Sequence, residues 1–229
     1  MTSFYHQLPR FPEDDAIKDG RRQRTKRVAV NFDSTFPYPA PPIDLSFRNL
    51  SSFEGKFPDL EEKPRHHPTK ILCKTHKGKY ESTALKFSNN LFENWIGFEQ
   101  FVGKILHNPS ALYWLDLSFN FLYTIDREIL KFSQLKILYL HGNAIHSISE
   151  VDKLSNLDYL QSLTLHGNAV EEEKGYRLYV LKKLPKLRAL DFSRVTRSET
   201  VSADLFSVSL MAANNRRRKE KRKTRSADM

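Results

Sequence analysis

Three stretches of this chain superimpose without a gap. They are Leu112-Tyr-Trp-Leu115-Asp-Leu117-Ser-Phe-Asn120-Phe-Leu122, Leu135-Lys-Ile-Leu138-Tyr-Leu140-His-Gly-Asn143-Ala-Ile145 and Leu160-Gln-Ser-Leu163-Thr-Leu165-His-Gly-Asn168-Ala-Val170. Each fits L-x-x-L-x-L-x-x-N-x-L, with Ile or Val accepted in the last slot. A short unit that recurs cannot bury its own apolar edge, so copies must stack, and stacking dictates the architecture. Two weaker copies flank the three. Upstream, Leu85, Phe87, Asn90 and Phe92 fill the slots, with Ser82 in the first. Downstream, Leu187, Leu190 and Phe192 fit, and Val195 stands where Asn is expected. Fourth-slot leucines 85, 115, 138, 163 and 190 are spaced by 30, 23, 25 and 27 residues.

Each slot has a physical reason. Leucines four and six lie two apart on a short strand, so both face the interior of the coil. The Asn turns the chain out of the strand, and its side-chain amide can satisfy backbone groups left by the bend. Asn90, Asn120, Asn143 and Asn168 are therefore expected to form a ladder that stops at Val195. On the return path, Phe98, Phe101, Val102, Ile105 and Leu106 follow helical spacing, and Asn108-Pro109 ends the run. Shorter connections use Ile125, Ile129 and Phe132, then Val151, Leu154 and Leu157. A longer helix carries Tyr176, Val180, Leu181 and Leu184 up to Pro185.

These motifs are the leucine-rich-repeat pattern. Residues 85–195 are similar to the short intracellular leucine-rich-repeat family. The resemblance rests on Trp114-Leu-Asp-Leu-Ser-Phe-Asn120, Leu138-Tyr-Leu-His-Gly-Asn143 and Leu163-Thr-Leu-His-Gly-Asn-Ala-Val-Glu-Glu-Glu-Lys-Gly-Tyr-Arg177, and extends weakly to Asp44-Leu-Ser-Phe47. The run from Tyr176 to Val195 resembles the C-terminal cap of members found in a spliceosomal ribonucleoprotein and an axonemal dynein. The resemblance implies an α/β solenoid of about five repeats, with a parallel concave sheet and helices and turns on the convex side. It also implies a cytoplasmic protein without catalytic residues.

Domain boundaries follow from composition. Residues 1–42 are read as a Pro-rich, basic, disordered segment, 43–80 as a candidate N-terminal cap strand with a linker, 81–206 as the repeat domain with its cap, and 207–229 as a basic tail. Nine of eleven prolines lie in residues 1–68, and Phe36-Pro-Tyr-Pro-Ala-Pro-Pro42 favours polyproline II. Ile43-Asp-Leu45-Ser-Phe47 alternates like a strand and could cap the sheet edge. The formal charge of +10 sits at the ends: residues 1–80 carry 15 basic and 10 acidic side chains, 81–206 carry 14 and 15, and 207–229 carry 8 and 2. The tail charge is Arg216, Arg217, Arg218, Lys219, Lys221, Arg222, Lys223 and Arg225; a second run spans Lys18 to Arg27. Blocks of like charge are usually solvated tails. The competing readings are nuclear import, phosphate-only RNA contact and docking on an acidic protein surface.

Signs of chemistry are few. The single cysteine, Cys73, excludes an intramolecular disulfide and fits a reducing compartment. His66, His67, Cys73 and His76 are the one metal-like cluster, but no paired C-x-x-C accompanies them, so no metal or other cofactor is expected. His141 and His166 occupy one repeat register, with rings expected about 5 Å apart. No phosphate loop or nucleophile elbow occurs, and an enzyme is not expected. No window of apolar residues is long enough to span a membrane.

What remains is the outward face of the strands, at repeat positions three, five and seven. Trp114, Asp116, Ile137, Tyr139, His141, Thr164 and His166, with Phe119 at the rim, are the expected partner-binding residues. Clustered aromatics on a rigid concave surface suggest a protein-binding hot spot. The sequence thus reads as a non-enzymatic interaction scaffold, monomeric, in the cytoplasm. A ribonucleoprotein scaffold working through the basic ends and a ciliary or axonemal adaptor are the alternatives, with nucleus or cilium as their settings. A competing possibility is that the N-terminal segment covers the concave face.

Overall fold

The computed structural model describes residues 41–54 and 72–205. Seven short strands form one sheet in chain order: β1 (Ile43–Asp44), β2 (Ala84–Lys86), β3 (Trp114–Asp116), β4 (Ile137–Tyr139), β5 (Ser162–Thr164), β6 (Ala189–Leu190) and β7 (Ser193–Arg194). The first six are parallel, and β7 returns antiparallel to β6. The register pairs Leu85, Leu115, Leu138, Leu163 and Leu190 in sequence, and all five are fully buried. This is the stacked-repeat solenoid that the leucine spacing demands. Each buried leucine contributes about 1.5–3 kcal/mol.

The asparagine ladder forms, and each rung follows one rule. Asn120 Nδ2 donates to Leu117 O of its own repeat and to Phe87 O of the preceding one, while its Oδ1 accepts from Phe92 N. Asn143 joins Leu140 O, Leu117 O and Leu122 N in the same way. Asn168 joins Leu165 O, Leu140 O and Ile145 N. Asn90 reaches back to Leu45 O, Arg48 N and Leu50 N, so β1 behaves as one more repeat ahead of the first. Beyond β1, Phe53 stacks on Phe92 at 4.0 Å and closes the apolar end of the pile.

On the convex side, the long first connection forms helix α1 (Phe98–Ile105), which buries Phe98, Phe101, Val102 and Ile105. The two shorter connections form 3-10 turns at Arg127–Lys131 and Ile148–Asn156, and another 3-10 turn, Ala169–Glu172, opens the longer last one. A 3-10 helix rises about 2.0 Å per residue against 1.5 Å for an α-helix, so fewer residues close the coil. Helix α2 (Tyr176–Lys183) follows and buries Tyr176, Val180 and Leu181.

One slot departs from the sequence pattern. Phe192 is expected at the inward sixth position, yet it is 55% exposed. Asp191 and Phe192 both take positive φ, at 52° and 60°, and form the two-residue loop of the β6–β7 hairpin. Two central residues with φ > 0 make the turn type that matches strand twist. The turn carries the Phe192 ring out of the leucine row and onto the concave side. Asp191 holds the turn: its Oδ1 accepts from Leu165 N and His166 N, and its Oδ2 accepts from Tyr176 OH at 2.9 Å. The chain then enters a helical segment over 197–205, opened by a reciprocal cap between Thr196 and Glu199. Arg177 Nε donates to Glu199 Oε1 at 2.6 Å and ties that segment to α2. This contact, with help from Thr196, holds the Glu199 carboxyl down at about 2.

Candidate functional site: the concave sheet

The outward side chains of adjacent strands sit in rows, because the parallel register aligns them. Trp114 pairs with Ile137, and Asp116 with Tyr139, which in turn pairs with Thr164. The rows divide into two halves of different chemistry. Toward β1 they are polar and close on themselves. Ser46 Oγ lies 3.0 Å from Ser88 Oγ, Lys86 Nζ lies 3.8 Å from Asp44 Oδ2, and Asp116 Oδ1 accepts from Ser118 N and Ser118 Oγ. Asp116 is buried, and burial raises its carboxyl above the usual range against the pull of those bonds.

Toward β6 the rows are rings. Trp114 meets the edge of Tyr139 at 6.0 Å, and Tyr139 meets Phe192 at 5.2 Å. Phe192 lies across the stacked pair His141 and His166, whose centroids are 4.6 Å apart and nearly parallel. Phe119 meets His141 edge-on at 5.0 Å. Edge-to-face contacts of this kind contribute about 0.5–1.5 kcal/mol beyond burial. The network therefore holds its rings in a fixed relief. His141 Nδ1 lies 2.8 Å from Thr164 Oγ1, and His166 Nδ1 lies 3.4 Å from Asp191 Oδ1. Burial first, then the neighbouring His166, pushes the His141 imidazole down to about 4, so the ring is neutral at pH 7. Burial likewise raises the Tyr139 phenol.

The expected site residues thus come together on one surface but differ in access. Trp114, Ile137 and His166 are half-buried, and Phe119 is exposed at the rim. Tyr139 and His141 are largely covered by their neighbours, and Thr164 is shut off from solvent entirely. Thr164 and Asp116 act on this face through the groups that they position. Phe192 is the ring that sequence reasoning missed, since its slot in the repeat reads as interior; the neighbouring Asp191, polar at the fifth position, was the available hint of a turn. The two tryptophans differ as well. Trp95 Nε1 donates to Thr124 O at 2.8 Å, whereas the buried Nε1 of Trp114 has no acceptor among the described residues.

Other expected sites fall elsewhere. Cys73 is exposed, His66 and His67 lie outside the described residues, and no three metal-ligating side chains gather among the described ones. Both basic runs, Lys18 to Arg27 and Arg216 to Arg225, also lie outside them. Among the described residues no helix is long and apolar enough to cross a membrane.

A family model described as leucine-rich repeat matches residues 115–217. Leucine-rich repeat-containing protein 51 of Rattus norvegicus is 43% identical over 168 residues, covering 72% of this chain and 84% of that protein. A centrosomal protein of 72 kDa from Mus musculus is 39% identical over 105 residues, which is 45% of this chain and 16% of that protein. Among solved structures, the Drosophila melanogaster SNF/U2A′ complex aligns with a TM-score of 0.48 at 20% identity, covering 59% of this chain and 86% of that one. With the repeat register, the asparagine ladder and a relative matched over most of both chains, the chain belongs to the leucine-rich repeat family, alongside leucine-rich repeat-containing protein 51.

Proposed function

We propose that this chain is a non-enzymatic adaptor that holds a partner protein against the ring-lined half of its concave sheet. Repeats of this family are protein-interaction modules, which sets the class of activity. The observation that carries the reading is the network joining Trp114, Tyr139, Phe192, His141, His166 and Phe119. Aromatic anchors on a rigid support are the groups that dominate binding energy at protein interfaces. The indole N–H of Trp114, without an acceptor among the described residues, supports it too. A buried donor without an acceptor costs about 1–3 kcal/mol, which a partner's carbonyl would remove once the ring turns toward it. The chain works in the cytoplasm, as its single cysteine suits.

The test is proximity labelling in a ciliated cell with the parent chain, with Phe192→Ala, and with Trp114→Ala/Tyr139→Ala. Circular dichroism of each purified variant keeps loss of fold separate from loss of binding. A specific partner should be labelled by the parent and lost by about tenfold or more in both variants, as for hot-spot anchors. An unchanged labelling pattern with folded variants removes the concave assignment.

A centrosomal or axonemal setting is the second reading. It is favoured by the 39% identical stretch in a centrosomal protein. Imaging of a tagged full chain tests it: enrichment at centrosomes or axonemes supports it, and uniform cytoplasmic signal rejects it.

A further inference from the structure

A second surface lies on the flank of the solenoid, where the backbone leaves each strand. Leu91, Phe119, Phe121 and Tyr123 stand there, each close to half exposed. Backbone bonds align them across repeats: Phe121 N donates to Phe92 O at 2.9 Å, and Ala144 N donates to Leu122 O at 3.0 Å. Beyond this wall the next repeat is smaller, apart from His146, whose ring stacks on Tyr123 with centroids 6.4 Å apart. Gly142 and Ala144 form a shelf, and a Cβ at Gly142 would lie 2.7 Å from the Phe119 ring. Phe119 itself takes φ 53°, at a repeat position where the next two copies use Gly142 and Gly167. Left-handed backbone is costly for a bulky residue, and strain of this kind clusters where a side chain has a task.

The charge of the flank is as distinctive as its shape. Residues 89–96, 119–126 and 142–150 contain Glu93, Asp126 and Glu150 and no Lys or Arg; the cations that border them are Arg48 of the repeat ahead, Arg127 next to Asp126, and Lys104, which lines the same hollow as Asp126. Glu150 is partly answered by Lys153 Nζ at 2.7 Å, and Asp126 Oδ1 caps the following 3-10 turn. Glu93 is exposed beside Leu91. The apolar area decides between kinds of occupant. Large side chains bury about 150–250 Å² each, so four half-exposed ones offer roughly 300–500 Å². A stable complex of two folded chains needs about 800 Å² from each partner. The patch is too small for a second copy of this chain and is the size of one apolar helix face.

From wall, shelf and bordering carboxylates we infer that this flank docks a basic amphipathic helix of a partner protein. Leucine-type side chains at helical spacing would lie against Leu91, Phe121 and Tyr123, and Lys or Arg beside them would face Glu93 and Asp126. This surface is separate from the ring-lined concave half, although Phe119 borders both.

The experiment titrates a labelled helical peptide of alternating Leu and Lys faces into the full chain, followed by fluorescence anisotropy. Saturable, salt-sensitive binding is expected. It should weaken about tenfold in Phe121→Ser/Tyr123→Ser, as for loss of two anchors, and about threefold in Glu93→Lys, an exposed change that leaves the core untouched. Trp114→Ala should leave it unchanged, which separates this inference from the concave reading. Four results would overturn it: equal binding of the matching Leu/Glu peptide; no response to either variant; a dimer in sedimentation that Phe121→Ser/Tyr123→Ser dissolves; or peptide binding tightened tenfold on deleting residues 206–229, which would assign the flank to the chain's own tail.

Discussion

The inward and outward sides of the same six parallel strands obey different rules. Inside, every slot is answered by the repeat before it: leucine lies on leucine in register, and each Asn bonds a carbonyl and one or two amides of the preceding repeat as well as a carbonyl of its own. A change there disturbs two repeats at once. Outside, the rows hold serine, carboxylate, aromatic and imidazole side chains in one register. Stacking requires no particular residue on that side, so its composition is free to serve recognition. The difference teaches where to look for function in a solenoid: in the positions that the stack leaves unspecified.

The largest expected effects lie inside. Leu138→Ala should cost about 3–4 kcal/mol, the range for a fully buried leucine in a core that relaxes only in part. Asn120→Ala should cost about 3 kcal/mol, because it strands Phe87 O, Leu117 O and Phe92 N away from water. Asn143→Ala, at a half-buried rung, should cost less. Urea unfolding measures all three. If the outward change Phe192→Ala proved as costly as Asn120→Ala, the two sides would not differ as described.

A middle-sized effect tests the outward side through pH. His141 is held at about 4 in the folded chain, against 6.5 for the free side chain. Above pH 6.5 the ring is neutral in both states, and titration costs nothing. As pH falls from 6.5 toward 4, only the unfolded chain takes up the proton, so stability declines and then levels below 4. The full decline is about 2 kcal/mol after allowance for solvent at the ring edge. His141→Asn should flatten that stretch of the stability–pH curve, and a curve that keeps its slope would show that burial does not govern this ring.

How far the sequence could be read follows the same division. The leucine rows, the ladder and the His141–His166 stack come from one repeated register, and the helix over Phe98–Ile105 from its own helical spacing, both of which physical demands on buried groups make explicit. The turn at Asp191 and Phe192 does not, because a Phe in a leucine slot reads as interior until backbone φ values show otherwise. The burial of Thr164 also escapes the pattern: alternation assigns it outward, but His141 and its ring neighbours close over it. The flank at Phe121 and Tyr123 was equally hard to see, since positions ten and twelve have no fixed meaning in the repeat.

The smallest effect is the most informative about the rim. Three repeats place Phe119, Gly142 and Gly167 at one backbone position, with φ of 53°, 66° and 69°. Stability alone would favour glycine at all three, since only glycine takes that conformation without cost. Phe119→Gly removes about 1 kcal/mol of left-handed strain and gives up an edge contact to His141 of similar size, so the melting temperature should move by no more than a few degrees. Gly142→Ala at the neighbouring copy should be clearly destabilising, by about 1–2 kcal/mol, because its Cβ would strike the Phe119 ring. In the double variant the clash is gone, and the Gly142→Ala cost should fall to the left-handed strain alone. A stability-neutral Phe119→Gly that loses partner labelling would mean that the ring is kept at the rim for recognition. A loss of several kcal/mol would make Phe119 a structural residue and move the boundary between the two sides inward of it.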